Sequence, residues 1–202
     1  MIGDPWDPTR RPTNIAISTL TIRRDEATGE ATFYLHWRDP AKVAHAAGLY
    51  QVVPSGIFQP SADATWNELH DFSLWRNLVR ELAEELLGDS EDHGSNTAPI
   101  EYDAWPFAAR LTAGLDNGSV RAHCVGLGVD PLTYATDLLT VLSIDSTTFD
   151  DLFGQVVTGN AEGRVLAPQP FTAETIHDFI HHKPIQAAGA ALLHQAWTHH
   201  LT

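Results

Sequence analysis

The sequence predicts an α/β sandwich with helices on both sides of a mixed β-sheet, and three observations carry that prediction. Residues 14–24 interleave Ile15, Ile17, Leu20 and Ile22 with polar positions, and residues 31–37 form a second run of β character. Residues 71–87 read as an amphipathic helix, because Trp75, Leu78, Val79, Leu82 and Leu86 recur at spacings of three and four. Two further strand-like runs, 120–129 and 138–144, then alternate with helical stretches up to the C-terminus.

Taken in order, residues 1–13 carry three prolines and little apolar content, so they read as an extended arm ahead of a single domain over 14–202. Asp25 to Glu30 is a hairpin turn between the first two strands. Residues 48–58 form a third extended segment, interrupted by Pro54 and Gly56. The helix over 71–87 takes Asp71 or Ser73 as its N-cap and stops at Gly88. Residues 89–96, rich in Asp, Ser and Gly, form a solvated loop. A short helix with an aromatic face is expected over 102–116, ended by a turn at Asn117-Gly118. The strand over 120–129 places Cys124 in the core, and a short helix is expected over 149–157. Pro168 and Pro170 precede Thr172, which caps a helix through Ile180, and a last helix covers 185–200.

Composition narrows the function classes. With 43% apolar residues the chain has ample material for a core, so disorder is not expected. The net charge of −14, from 12 basic against 26 acidic residues, argues against a nucleic-acid grip. A single cysteine cannot form an internal disulfide, and nothing in the N-terminal residues or elsewhere reads as a signal peptide or membrane span; a cytoplasmic protein with no membrane partner is the expectation.

Chemistry concentrates in Arg80-Glu81-Leu82-Ala83-Glu84-Glu85. At ~100° per residue, Glu84 and Glu85 fall about 60° and 40° to either side of Glu81, giving a three-carboxylate face. Three like charges this close repel one another, and a hard cation such as Mg²⁺ relieves the repulsion. The plainer reading is a solvated face on which Arg80 pairs with Glu84 one turn away.

This hexapeptide resembles the second half of the Nudix box, Gly-x5-Glu-x7-Arg-Glu-U-x-Glu-Glu-x-Gly-U, where U is aliphatic. The likeness holds at Arg80, Glu81, Leu82, Glu84 and Glu85 and lapses elsewhere. Gly88 comes one residue late. If Gly56 is the box glycine, the 23 residues from Ile57 to Val79 are a longer spacing than the pattern has. The position of the first glutamate is Phe72, with Glu68 and Asp71 the nearest acids. The resemblance implies a Nudix-like α/β/α sandwich and Mg²⁺-dependent (or Mn²⁺-dependent) hydrolysis of a phosphoanhydride, a nucleoside diphosphate linked to another moiety or a similar small molecule. It assigns Glu81, Glu84 and Glu85 to the metal, Glu85 and Glu81 to catalysis with one of them acting as base, and Arg80 to orienting the carboxylates. The rival reading is a noncatalytic Nudix-like domain that senses a ligand or docks on a protein. Self-association as a homodimer is left open.

Glu162, between Gly159 and Gly163, is the candidate for the further acid that such enzymes recruit from a later loop; a plain polar turn is the alternative. Glu101, Asp103 and Asp137 are weaker candidates. His177 and His181 stand one helical turn apart with His182 adjacent, a spacing that suits zinc, but no third ligand is evident and surface histidines are the expected reading. Gly126-Leu127-Gly128 lacks the third glycine of a dinucleotide fingerprint. Among Tyr50, Phe58, Trp66, Trp105 and Phe107, most are expected in the core, with one or two free to stack on a planar group. Residues 59–70 form an insertion before the box and are expected to wall one side of the site. Phe58-Gln59-Pro60-Ser61, Leu74-Trp75-Arg76-Asn77 and Tyr102 to Phe107 resemble Nudix-like domains of actinobacterial proteins, some fused to a helix-turn-helix regulator.

Overall fold

The computed structural model describes all residues of the chain except 1, 2, 5, 12, 44, 45, 91, 92 and 155–162. Its centre is β1 (Ile15–Arg24), which pairs in parallel with β7 (Thr136–Asp145) along its whole length. On its other edge β1 holds two short antiparallel partners end to end, β5 (Ser55–Ile57) on its first half and β2 (Ala31–Phe33) on its second. β6 (Val120–Val129) and β9 (Gln169–Pro170) complete the order β6-β7-β1-β2-β9. A second antiparallel sheet has the order β4-β3-β8, from Tyr50–Val52, Leu35–Arg38 and Gly163–Val165.

Two apolar layers flank the main sheet. On one face Ile17, Leu142 and Ile144 meet Leu78, Leu82 and Leu86 of α2 (Leu74–Leu87), together with α3 (Pro106–Asn117) and α4 (Ser146–Phe153). On the other, Leu20, Ile22 and Val141 meet α5 (Ala173–His182) and α6 (Ala187–Thr198) through Phe179, Leu192 and Leu193. Successive β1 residues point to opposite faces, so one strand feeds both layers, and the α/β/α sandwich follows. Where threonine rather than an aliphatic residue faces inward, its hydroxyl is satisfied: Thr19 and Thr140 share a 2.6 Å bond, and Thr21 donates to the Val53 carbonyl at 2.8 Å.

The helix stops follow local chemistry. Ser73 caps α2, accepting the Arg76 N–H, and Gly88 ends it in the left-handed conformation at φ 76°. Asp145 caps α4 with bonds from two backbone N–H groups, starting that helix at Ser146 rather than Phe149; residues 155–157 of the expected helix lie outside the described residues. Thr172 caps α5.

Five expectations are corrected. Residues 31–37 are two strands in different sheets, split at Tyr34, and the extended segment 48–58 divides likewise into β4 and β5. Of the two expected caps Ser73 is the one used, so the helix begins at Leu74 rather than near Asp71, which instead ends a separate helix inside the insertion, α1 (Trp66–His70). The loop over 89–96 is not wholly solvated: Ser95 is fully buried. Cys124 is exposed, on β6 at the edge of the main sheet.

Candidate carboxylate site on helix α2

The acidic face of α2 does not look into solvent. Glu81 and Glu85 are 8% and 6% exposed, and Glu84 between them is half-buried. What covers them is β5, laid across the helix. Glu85 Oε1 accepts the Ser55 N–H at 2.6 Å. Asn77 Nδ2 donates to the Ile57 carbonyl at 3.3 Å and to Glu81 Oε1 at 3.4 Å, clamping strand and carboxylate together. Between those contacts lies Gly56, where a side-chain Cβ would come within 2.2 Å of Glu81 Oε2; the strand approaches this closely only because glycine is there. Buried His36 of β3 brings Nδ1 to 3.6 Å from Glu85 Oε2. Nothing in the sequence singled out His36, since it is a lone histidine in a short strand of the other sheet.

Arg80 takes a different direction from the one expected. Its guanidinium donates to the Tyr102 hydroxyl and the Gln59 carbonyl, both at 2.7 Å, and lies 3.6 Å from Asp71. Asp71 in turn accepts from the Ser61 N–H at 2.9 Å, the Ser61 hydroxyl at 2.5 Å and the Tyr102 hydroxyl at 3.0 Å. Burial alone would raise the Asp71 carboxyl, but the Ser61 bonds, the Arg80 charge and the Tyr102 bond outweigh it and hold the group below the usual carboxylate range. Burial pushes Tyr102 up to about 12, so it stays a hydroxyl donor. Asp71 thus serves Arg80, while its neighbour Phe72 is 77% exposed.

This network closes the insertion onto the domain. Ser61, Trp66 and Asn67 bond to Ser95, by its hydroxyl or its carbonyl, and His70 Nε2 meets the Ile100 carbonyl at 2.8 Å. The insertion therefore forms a fixed wall along the N-terminal half of α2.

The structure brings Glu81 and Glu85 together under β5 and keeps Glu84 beside them at the half-exposed edge. Glu162 lies outside the described residues. Glu101 and Asp103 are exposed before α3, and Asp137, which accepts from Ser18 at 3.0 Å, faces the α6 side of the sheet. His177, His181 and His182 form an exposed group with the first two rings 4.3 Å apart. Gly126 sits at a bulge of β6. Tyr50 packs on Phe179, Trp105 on Phe107, and Phe58 on Phe72. Among the described residues no three His, Cys, Asp or Glu side chains converge as a ready-made metal centre.

No protein-family model matches the sequence, and no curated protein matches it. Solved structures do. A NUDIX hydrolase from Alicyclobacillus acidocaldarius is 18% identical with a TM-score of 0.52, over 91% of this chain and 90% of that one. NrtR from Shewanella oneidensis is 14% identical with a TM-score of 0.51, over 93% of this chain but 63% of NrtR. The NUDIX domain of the same NrtR, complexed with ADP ribose, aligns at 15% identity and a TM-score of 0.49, over 97% of this chain and 94% of the domain. The likeness shows that the chain has a Nudix-like fold, and its α/β/α layering with a mixed sheet agrees with that.

Proposed function

We propose that the chain is a Mg²⁺-dependent hydrolase of a phosphoanhydride in a nucleotide-linked or similar small molecule. The observation that supports this best is the burial of Glu81 and Glu85 on one face of α2, under a strand whose glycine leaves room for the carboxylate. Carboxylates are costly to remove from water, and a cation is the partner that three of them share most readily. The donor set fits a hard divalent ion: Glu81, Glu84 and Glu85 offer oxygen only, within about one helical turn, and they would draw together on binding. When bound, such an ion supplies positive charge against the diphosphate and Lewis acidity at the reacting centre. Glu85 is assigned the proton of the attacking water, its carboxylate fixed by the Ser55 N–H and backed by His36. Arg80 acts through Asp71 and Gln59 to hold the insertion as a wall of the site.

The second reading is a noncatalytic Nudix-like domain that senses a ligand or docks on a protein. It is favoured by Phe72 at the first acid position and by the absence, among the described residues, of converged ligands. A screen of nucleoside diphosphate derivatives with Mg²⁺ or Mn²⁺, scored for phosphate or nucleotide release, separates the two. The hydrolase reading expects release, with Glu85→Gln cutting turnover by orders of magnitude while binding survives. Recovery of a bound phosphoanhydride intact after prolonged incubation with either metal would assign the binding module instead.

The lack of a nucleic-acid partner rests on the charge of −14 alone, and Shewanella NrtR has been crystallised with a 27mer DNA. Among the described residues no helix is long and apolar enough to cross a membrane. The cytoplasmic location, the homodimer and the actinobacterial kinship stand as readings of the sequence, as does the distal acid Glu162.

A further inference from the structure

Helix α5 carries a second group of metal-ligating side chains, on the face of the sheet away from the α2 carboxylates. Ile176 and Phe179 anchor this helix in the core, and His177, His181 and His182 beside them are exposed. His177 and His181 stand one turn apart on one stripe, with ring centroids 4.3 Å apart. On an ideal helix His182 would lie about 140° round from His177. Its ring is nevertheless 5.6 Å from that of His177 and 6.4 Å from that of His181. His182 is the last residue of α5, and Lys183 after it is extended, with φ −108° and ψ 149°. The helix end thus supplies the third imidazole that spacing alone did not. A tetrahedral ion with bonds of about 2.0 Å to imidazole nitrogens holds the ring centroids roughly 5 Å apart, and the three separations bracket that value. Among the described residues the donor atoms do not yet converge. No hydrogen bond or ion pair among those residues ties any of the three exposed rings, so closure takes side-chain rotation alone. The surroundings favour a cation. His177 and His182 line an open hollow of about 560 Å³ together with Glu174 and Asp178. The neighbouring cation, Lys183, is paired with Asp178 at 3.3 Å, and the negative end of α5 lies beside the rings.

We propose that His177, His181 and His182 form a second metal site, for a borderline transition ion such as Zn²⁺ or Ni²⁺, with the fourth position left to water. Three imidazoles select such ions over Mg²⁺, which takes oxygen ligands, so this site differs from the α2 face in chemistry as well as in place. It stands whether or not the α2 carboxylates support hydrolysis. Ligands drawn from the last two turns of α5 pin the end of that helix, so occupancy stabilises the native state.

The test is calorimetry on the full chain, without a histidine tag, titrated with Zn²⁺ and separately with Ni²⁺. Excess Mg²⁺ throughout sets aside the oxygen ligands of α2. Each ion should bind, and each of His177→Gln, His181→Gln and His182→Gln should weaken that binding about tenfold or more. His123→Gln and His199→Gln, which remove exposed imidazoles elsewhere, should leave the affinity unchanged. All five variants should melt with the wild type in chelator, because none of the substituted rings is buried; lost binding then reports the site and not the fold. Zn²⁺ should raise the melting temperature of the wild type and not that of His177→Gln or His181→Gln. Absence of binding, binding that survives His177→Gln or His181→Gln, or binding weakened equally by His123→Gln and His199→Gln would overturn the site. Unchanged affinity in His182→Gln would overturn the third ligand.

Discussion

Asp71 and Arg80 face each other at 3.6 Å with side chains 0% and 4% exposed, and Tyr102 bridges them by donating to the acid and accepting from the base. Three segments meet in this network: the insertion through Ser61 and Gln59, the box helix through Arg80, and the approach to α3 through Tyr102. Its stability contribution is conditional. A buried pair repays its desolvation only while both partners and their hydrogen bonds are present.

Arg80→Leu leaves the Asp71 carboxylate buried with its cation gone, and should destabilise by about 3–5 kcal/mol. The double variant Asp71→Asn/Arg80→Leu should lose less than the sum of the single changes, because the second removes the charge the first stranded. Urea denaturation midpoints on the four proteins of the cycle measure this; strict additivity would mean the two residues are not coupled.

Acid should expose the same network. The folded Asp71 carboxyl lies below its ordinary value, despite burial that works the other way, so the unfolded chain takes up the proton first. The stability it supplies is present above the unfolded value of about 3.9 and is lost as pH falls through the folded pKa. Asp71→Asn should be less stable at pH 7 and lose less on acidification below about pH 4. Parallel stability curves for variant and wild type would rule out this role.

Leu82 tests the helix register. It is fully buried against the β1–β7 face, one turn from Leu78. Leu82→Ala should cost about 2–5 kcal/mol by deletion of packed methyl groups. An unchanged denaturant midpoint would place this face of α2 outside the core.

Much of this fold was legible because its signals are local. Ser73, Thr172, Gly88 and Gly118 set helix ends by their own backbone chemistry, and β1 announced itself by alternation. The readings that needed partners were less secure. Cys124 sits in an apolar run yet is exposed, because burial of an edge strand depends on which helix covers it. Ala31 to Trp37 reads as one strand, but Tyr34 turns into the α4 layer and hands the chain to the second sheet. In the site, the acidic face of α2 was readable from spacing alone. That β5 would cover it, that Gly56 would make the cover possible, and that His36 would reach Glu85 depend on contacts between residues about 25 to 50 positions apart, as long-range pairings generally do. Asp71 was named only as a helix cap or a neighbouring acid. Its pairing with Arg80 arises because the inserted helix α1 folds back, and no pattern encodes that.

The carboxylate face itself yields the most direct measurement. If Glu81, Glu84 and Glu85 hold a divalent ion, Mg²⁺ or Mn²⁺ should raise the melting temperature in a concentration-dependent way, since a ligand that binds only the native state stabilises it. Glu84→Gln and Glu85→Gln should each weaken that shift; Glu85→Gln keeps an amide oxygen for the Ser55 N–H, so its own stability should change little. Gly56→Ala provides the control that does not alter charge. Its new Cβ would land on the buried Glu81 carboxylate at 2.2 Å rather than on backbone, so that side chain must shift, at a cost of about 1–3 kcal/mol as overpacking does. The variant should therefore melt somewhat below wild type in chelator, and the rise that metal adds to its own melting temperature should be smaller than in wild type. Equal metal-induced shifts in wild type and all three variants would remove the α2 carboxylates as the metal site, and with it the basis for assigning hydrolysis to this face.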